Sequence, residues 1–187
     1  MIPLFALLAA LPLEVELSAG PAISFAVSPT ATATALRLRA AVDLLDTFSV
    51  GASMLGIPGS ETGCGSNDPQ SFKAVSGFVS ARLHSSGGNQ LFLEGGVGAG
   101  HLITLAGGGY CYENPQLRGG GGPAFLLEAG FRSFVTQNLA LGISLAGTAW
   151  SNVGHAGHTG MPVIPEESGL VVTGFLLLVS VGWSFGR

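Results

Sequence analysis

The chain has 187 residues, which suits one domain, a formal charge of only −4, and 10% charged residues where soluble domains carry roughly 25%. Seven Lys plus Arg offer no basic patch for nucleic acid, and a mean hydropathy of +0.53 excludes a polar, disordered chain. No apolar run approaches the roughly 20 residues of a membrane helix, and thirty Gly with ten Pro are poor helix material, so the balance suits an all-β chain placed in a membrane.

Residues 1–12 (MIPLFALLAALP) are apolar, uncharged and too short to cross a bilayer as a helix. They read as an atypical or truncated signal peptide, with small residues Ala9 and Ala10 for cleavage but no basic residue ahead of the apolar run. The alternative is a buried first strand or helical turn. A single β-barrel domain is expected over 13–187.

From residue 13 the pattern alternates with a period of two, broken by Gly, Pro, Asn, Asp and Ser, which is strand-and-turn punctuation. The expected strands are 13–27, 32–44, 48–55, 74–83, 90–102, 123–134, 139–150 and 169–185. Residues 45–47, 84–89 and 135–138 read as tight turns, and 56–73, 103–122 and 151–168 as long loops. Alternation of short turns with long loops is the layout of an eight-stranded antiparallel up-and-down transmembrane β-barrel. The connection at Ser28-Pro29 is short where that layout expects a long loop.

Charge parity separates the two faces of each strand, and residue size, not parity alone, says which of them is inside. Nine charged residues fall in the expected strands: Glu14, Glu16, Arg37, Arg39, Asp43, Arg82, Glu94, Glu128 and Arg132. Each lies opposite the face carrying the large Leu, Val, Ile and Phe residues. An Arg or Lys turned to lipid at mid-bilayer costs about 2–4 kcal/mol. The charged face therefore belongs inside, paired as Arg–carboxylate contacts, and the apolar face outside. The remaining inward positions read as Gly, Ser and Ala, which a narrow barrel needs, and a packed plug is favoured over an open lumen. A soluble lipocalin-like carrier would invert the two faces.

The segments LFLEGGVGAGHL (91–102) and GPAFLLEAGFRSFVTQNLALGISLAG (122–147) resemble small outer-membrane barrels of the OmpA/OmpX-like kind. Gly130, Arg132, Thr136, Asn138 and Leu139 fill that group's hairpin pattern of a Gly-rich strand and a short periplasmic turn, and LRLRAAVDLLDTFSVGASMLG (36–56) repeats its logic. Trp183 and Phe185 resemble the aromatic C-terminal signal read by barrel-assembly machinery and would also sit in an interfacial girdle. Gly186 and Arg187 after the final Phe depart from that signal. The resemblance implies a bacterial outer-membrane location with both termini periplasmic. It is nearly silent on activity.

Cys64 and Cys111 fall in two long loops on the same side, so an oxidising envelope predicts a Cys64–Cys111 disulfide; free thiols or a metal site with His101 are the alternatives. His155 and His158 have no Cys or Asp beside them, which is weak for a metal. Gly96-x-Gly98-x-Gly100 lacks the third spacing of a dinucleotide fingerprint and reads as a tight strand. Ser151-Asn152-Val153-Gly154 resembles part of the motif of lipid A-deacylating barrels, but Ala149 stands where the general base belongs. His84-Ser85-Ser86 has the His-x-Ser spacing, on the turn side. No enzyme activity, cofactor or metal is expected. The expected role is structural, adhesive or recognitive, through the long loops, with lipid and an envelope or extracellular protein as partners. A narrow porin-like channel, a lipid-modifying enzyme, a soluble carrier and a subunit of an oligomeric envelope assembly are the alternatives, the last suggested by outward Ala40, Ala52, Ala81 and Ala129.

Overall fold

The computed structural model describes residues 12–24, 31–58, 72–106, 116–152 and 170–185. Eight strands run in chain order: β1 Leu13–Ser24, β2 Ala31–Leu45, β3 Phe48–Ile57, β4 Phe72–His84, β5 Asn89–Ala106, β6 Gln116–Phe134, β7 Leu139–Asn152 and β8 Leu170–Phe185. Each pairs antiparallel with its chain neighbours, and β8 returns to β1, so the sheet closes without an edge. Closure matters because an unpaired backbone N–H or C=O in hydrocarbon costs several kcal/mol.

The three tight turns lie at one end of the barrel, together with Pro12 and Phe185. The four segments 25–30, 59–71, 107–115 and 153–169 leave from the other end. Turn chemistry is legible at each corner. Asp46-Thr47 joins β2 to β3, where the register shifts between Asp43 and Leu45. Gly87 has φ +105°, a conformation that side chains with a Cβ rarely adopt. Thr136 Oγ1 accepts from the Leu139 N–H at 3.0 Å, holding the β6–β7 turn. Adjacent corners are tied to each other: His84 N–H donates to Thr47 O (2.9 Å), Phe134 N–H to Gly88 O (2.8 Å) and Ser184 N–H to Asn138 O (2.8 Å).

Large apolar residues face outward around the described wall, among them Leu17, Leu38, Met54, Val79, Leu91, Leu127, Leu145 and Val179. The charged residues of the strands face inward. This assignment is opposite to that of a lipocalin-like carrier. Ala40, Ala52, Ala81 and Ala129 are also outward and exposed.

Some sequence expectations change. The 103–122 loop is too long, because β5 continues to Ala106 and β6 begins at Gln116, with Ile103 paired to Gly119 and Thr104 to Arg118. A Gly run has little strand preference of its own, and here the neighbouring strand supplies the ladder that keeps it extended. The inward face is also not confined to small residues and charges. Leu55, Ile57, Phe78, Leu126, Trp150, Leu176 and Leu178 are all buried in one cluster inside the barrel.

Close backbone approach explains two glycines. A Cβ on Gly98 would strike the Gly77 carbonyl oxygen, and one on Gly20 would strike the Leu177 carbonyl oxygen at the β1–β8 seam. Gly95, outward on the same strand as Gly98, has nothing within 4 Å of its Cβ position. Gly98→Ala is expected to cost about 1–3 kcal/mol through forced backbone movement, and Gly95→Ala to be neutral. Unboiled and boiled samples compared by gel mobility, across a urea series, measure the folded fraction of each variant.

Candidate functional site: the filled barrel interior

Period-two alternation sends every second residue inward, and the register brings the inward charges of five strands to one level toward the turn end. Glu14 and Glu16 come from β1, Arg37 and Arg39 from β2, Arg82 from β4, Glu94 from β5, and Glu128 and Arg132 from β6. All eight are buried, four guanidinium groups against four carboxylates.

Two carboxylates act as hubs. Glu94 takes Arg82 Nε at 2.7 Å and Arg37 Nη2, while Arg39 Nε lies 3.0 Å from it. Glu14 takes Arg39 Nη1 at 3.1 Å and Arg132 Nη1, with Arg82 Nη1 at 3.6 Å. Glu16 accepts from Arg82 Nη1 (2.8 Å) and from Ser18 Oγ (3.3 Å), and Glu128 accepts from Arg37. Neutral side chains complete the layer: Arg39 donates to Ser49 Oγ (3.0 Å) and Arg132 Nε to Gln90 Oε1 (2.6 Å). The Arg82 guanidinium also lies 4.1 Å above the centre of the Phe92 ring.

The ninth charge, Asp43, sits at the turn-side margin, half-buried, with its Oδ1 4.0 Å from His84 Nε2. His84 is not a turn residue. It is the last residue of β4 and is buried inside the barrel, with Nδ1 3.4 Å from the Ser85 carbonyl oxygen. Ser86 of the same His-x-Ser spacing stands exposed in the turn.

Toward the loop end the interior becomes apolar. Leu55, Ile57, Phe78, Leu126, Trp150, Leu176 and Leu178 fill the lumen with Ala22, Ala35, Ala74, Ala124 and Ala146. The Trp150 indole N–H donates to Ser76 Oγ at 2.6 Å. Gly100 makes room for it, since a Cβ there would lie 2.9 Å from the indole ring. The Gly96–Gly100 run thus serves packing, with Gly98 against the Gly77 backbone and Gly100 against Trp150.

Parity could have revealed this tier. Leu126 is two residues from Glu128, and Leu176 and Leu178 share the parity of Ser180 and Ser184. The run Phe175–Val179 is apolar on both faces, the mark of a strand buried on both sides.

Among the described residues no group of three or more His, Cys, Asp and Glu is placed to hold a metal ion. Trp183 and Phe185 point outward near the turn end, ring centres 6.4 Å apart. Cys64, Cys111, His155 and His158 lie outside the described residues, as do residues 1–11.

No protein-family model and no curated protein matches the sequence. Solved structures match it along nearly its whole length. Neisserial surface protein A (NspA) is 16% identical with a TM-score of 0.64, over 92% of this chain and 97% of that one. The Yersinia pestis attachment invasion locus protein Ail is 12% identical with a TM-score of 0.58, over 94% and 99%. The N-terminal β-barrel domain of Pseudomonas aeruginosa OprF is 15% identical with a TM-score of 0.53, over 92% and 97%. The fold is that of the small eight-stranded outer-membrane barrels. At these identities the likeness concerns backbone architecture, and the interior described above belongs to this chain's own residues.

Removing one member of a buried ion pair costs about 3–5 kcal/mol, because its partner keeps its charge and loses its acceptor. Glu94→Ala, which strips three guanidinium groups of a shared carboxylate, is expected to fall in that range in urea titrations followed by Trp fluorescence. Arg37→Met and Glu128→Gln are expected to be non-additive, the double variant losing at least about 1 kcal/mol less than the sum of the singles.

Proposed function

We propose that this chain is an integral bacterial outer-membrane protein that works from its loop end, as a structural, adhesive or surface-recognition barrel, and that it is neither a channel nor an enzyme. The observation that carries this reading is the filled interior. One tier is occupied by buried, paired charges and the next by a cluster of buried Leu, Ile, Phe and Trp, which supports a filled lumen over an open one. Hydrolysis of lipid would need a serine with a positioned base. The outward apolar wall and the likeness to outer-membrane barrels support the location. By the same analogy the turns and both termini face the periplasm.

The composition of the loop-end segments narrows the partner. Residues 25–30, 59–71, 107–115 and 153–169 carry Glu61, Asp68, Glu113, Glu166 and Glu167, with no Lys or Arg. One structure of Ail holds the heparin analogue sucrose octasulfate. The acidic segments here favour a neutral or basic partner surface over such a polyanion. Cys64 and Cys111 belong to the β3–β4 and β5–β6 connections, which leave the same end on either side of the β4–β5 pair, and we take them as a disulfide joining these two segments.

In planar bilayers the folded protein is expected to give no steady conductance step; a stable step would establish the porin-like alternative. Shortening 59–71, 107–115 and 153–169 to turn-length linkers should leave the heat-modifiable mobility intact and abolish binding of barrel-bearing vesicles to a basic protein surface. Thiol titration of the unreduced, unfolded protein should find no free thiol; two would remove the disulfide.

A further inference from the structure

The inward charges gathered toward the turn end do not balance. Four guanidinium groups (Arg37, Arg39, Arg82 and Arg132) stand against five carboxylates (Glu14, Glu16, Asp43, Glu94 and Glu128). Asp43 is the extra one, and the buried ring of His84 lies in front of it. Both backbones are pinned. Asp43 N–H donates to the Pro12 carbonyl oxygen (3.1 Å), and His84 N–H donates to the Thr47 carbonyl oxygen (2.9 Å). Their strands, β2 and β4, are separated in the sheet by β3.

The His84 side chain is 1% exposed, and each ring nitrogen faces an oxygen that can only accept. Nδ1 lies 3.4 Å from the Ser85 carbonyl oxygen, and Nε2 lies 4.0 Å from Asp43 Oδ1. A neutral imidazole has one N–H and can serve only one of these oxygens. With that proton on Nδ1, Nε2 turns a lone pair toward a carboxylate, and Nε2 has no hydrogen-bond partner. Imidazolium donates from both nitrogens, so the site is complementary to the charged ring. The charges acting on the ring come from three other strands: Arg132 of β6, Asp43 of β2 and Glu14 of β1. Arg82 shares the inward face of β4. The inward residues that β3 and β5 bring to this end, Ser49, Gln90 and Phe92, are uncharged, as are Ala140 of β7 and Ser184 of β8. We propose that His84 is a proton-binding site, and that its proton ties β4 to Asp43 of β2, across β3, at the turn-end mouth of the barrel. With the proton, five cations meet five carboxylates. Without it, the mouth keeps one negative charge. Burial and Arg132 oppose the charged ring while Asp43 and Glu14 favour it, and this opposition leaves His84 to titrate with the compartment that the turn end faces.

The test uses the full-length chain in nanodiscs, with His101, His155 and His158 replaced by Gln so that His84 is the single imidazole. Nitrogen NMR follows its two ring nitrogens from about pH 8 to about pH 4.5, the range in which histidine titrates. The expected result is a neutral ring protonated on Nδ1 at the high end, both nitrogens protonated at the low end, and one midpoint between them. Asp43→Asn should lower that midpoint by about one pH unit or more, a proton affinity weakened about ten-fold, as expected of a carboxylate within roughly 4–6 Å. Asp46→Asn, in the neighbouring turn, should leave it in place. A ring that keeps one protonation state over the whole range, as a water bridge to Asp43 would allow, or a midpoint that Asp43→Asn does not move, would overturn the proposal. Heat-modifiable mobility shows which variants fold. If Asp43→Asn does not, the titration of the single-histidine chain still decides, since a ring of constant state refutes the site.

Discussion

A strand that crosses hydrocarbon needs its backbone donors and acceptors paired, and in this chain the free edges of β1 and β8 are removed only when β8 closes onto β1. The seam is the delicate part of the ring. Its register runs from Leu13 opposite Phe185 to Ser24 opposite Gly174, with Gly20 and Pro21 as the stretch outside the ladder. Pro21 has no N–H to donate, and Gly20 lets the Leu177 carbonyl come close. The first and last strands of the ring thus accommodate a two-residue gap in their ladder.

Closure creates an interior that has to be filled, and the chain fills it in two ways. Near the turns, long Arg side chains reach across the lumen to carboxylates on other strands: Arg132 on β6 meets Glu14 on β1, and Arg82 on β4 meets Glu16 on β1. Such contacts staple strands that are not neighbours in the sheet. Their net contribution to stability is limited, since desolvation of each ion offsets much of the attraction, but leaving any one partner alone is costly. Near the loops, Leu, Ile, Phe and Trp do the filling through close packing. The polar tier links strands across the lumen, and the apolar tier fills it beyond.

This division bears on function. A barrel with a wet core would owe its activity to the lumen. A barrel packed in both tiers leaves its ends and its outer wall as the surfaces open to partners. The loop end carries acidic segments, and the packed interior holds in position the strand ends that bear them.

Much of this was legible in the linear chain. Parity of Glu14, Glu16, Arg37, Arg39, Arg82, Glu94, Glu128 and Arg132 against the Leu and Val positions sorted the strand residues onto two faces, because the side-chain period of a strand is two. Turn residues such as Asp46, Gly87 and Thr136 marked the corners, because their local backbone chemistry is independent of distant partners. Other features depended on which strand lies beside which. The Gly119–Gly122 run is a strand only because β5 continues past it. His84 reads as a turn residue until β4 is seen to carry it inside. Which carboxylate each Arg meets, why Gly98 tolerates no Cβ, and how Leu126, Trp150, Leu176 and Leu178 converge are matters of register and barrel curvature. Alternation along one strand assigns a residue to a face, and only the closed ring decides which residues of eight strands share a level.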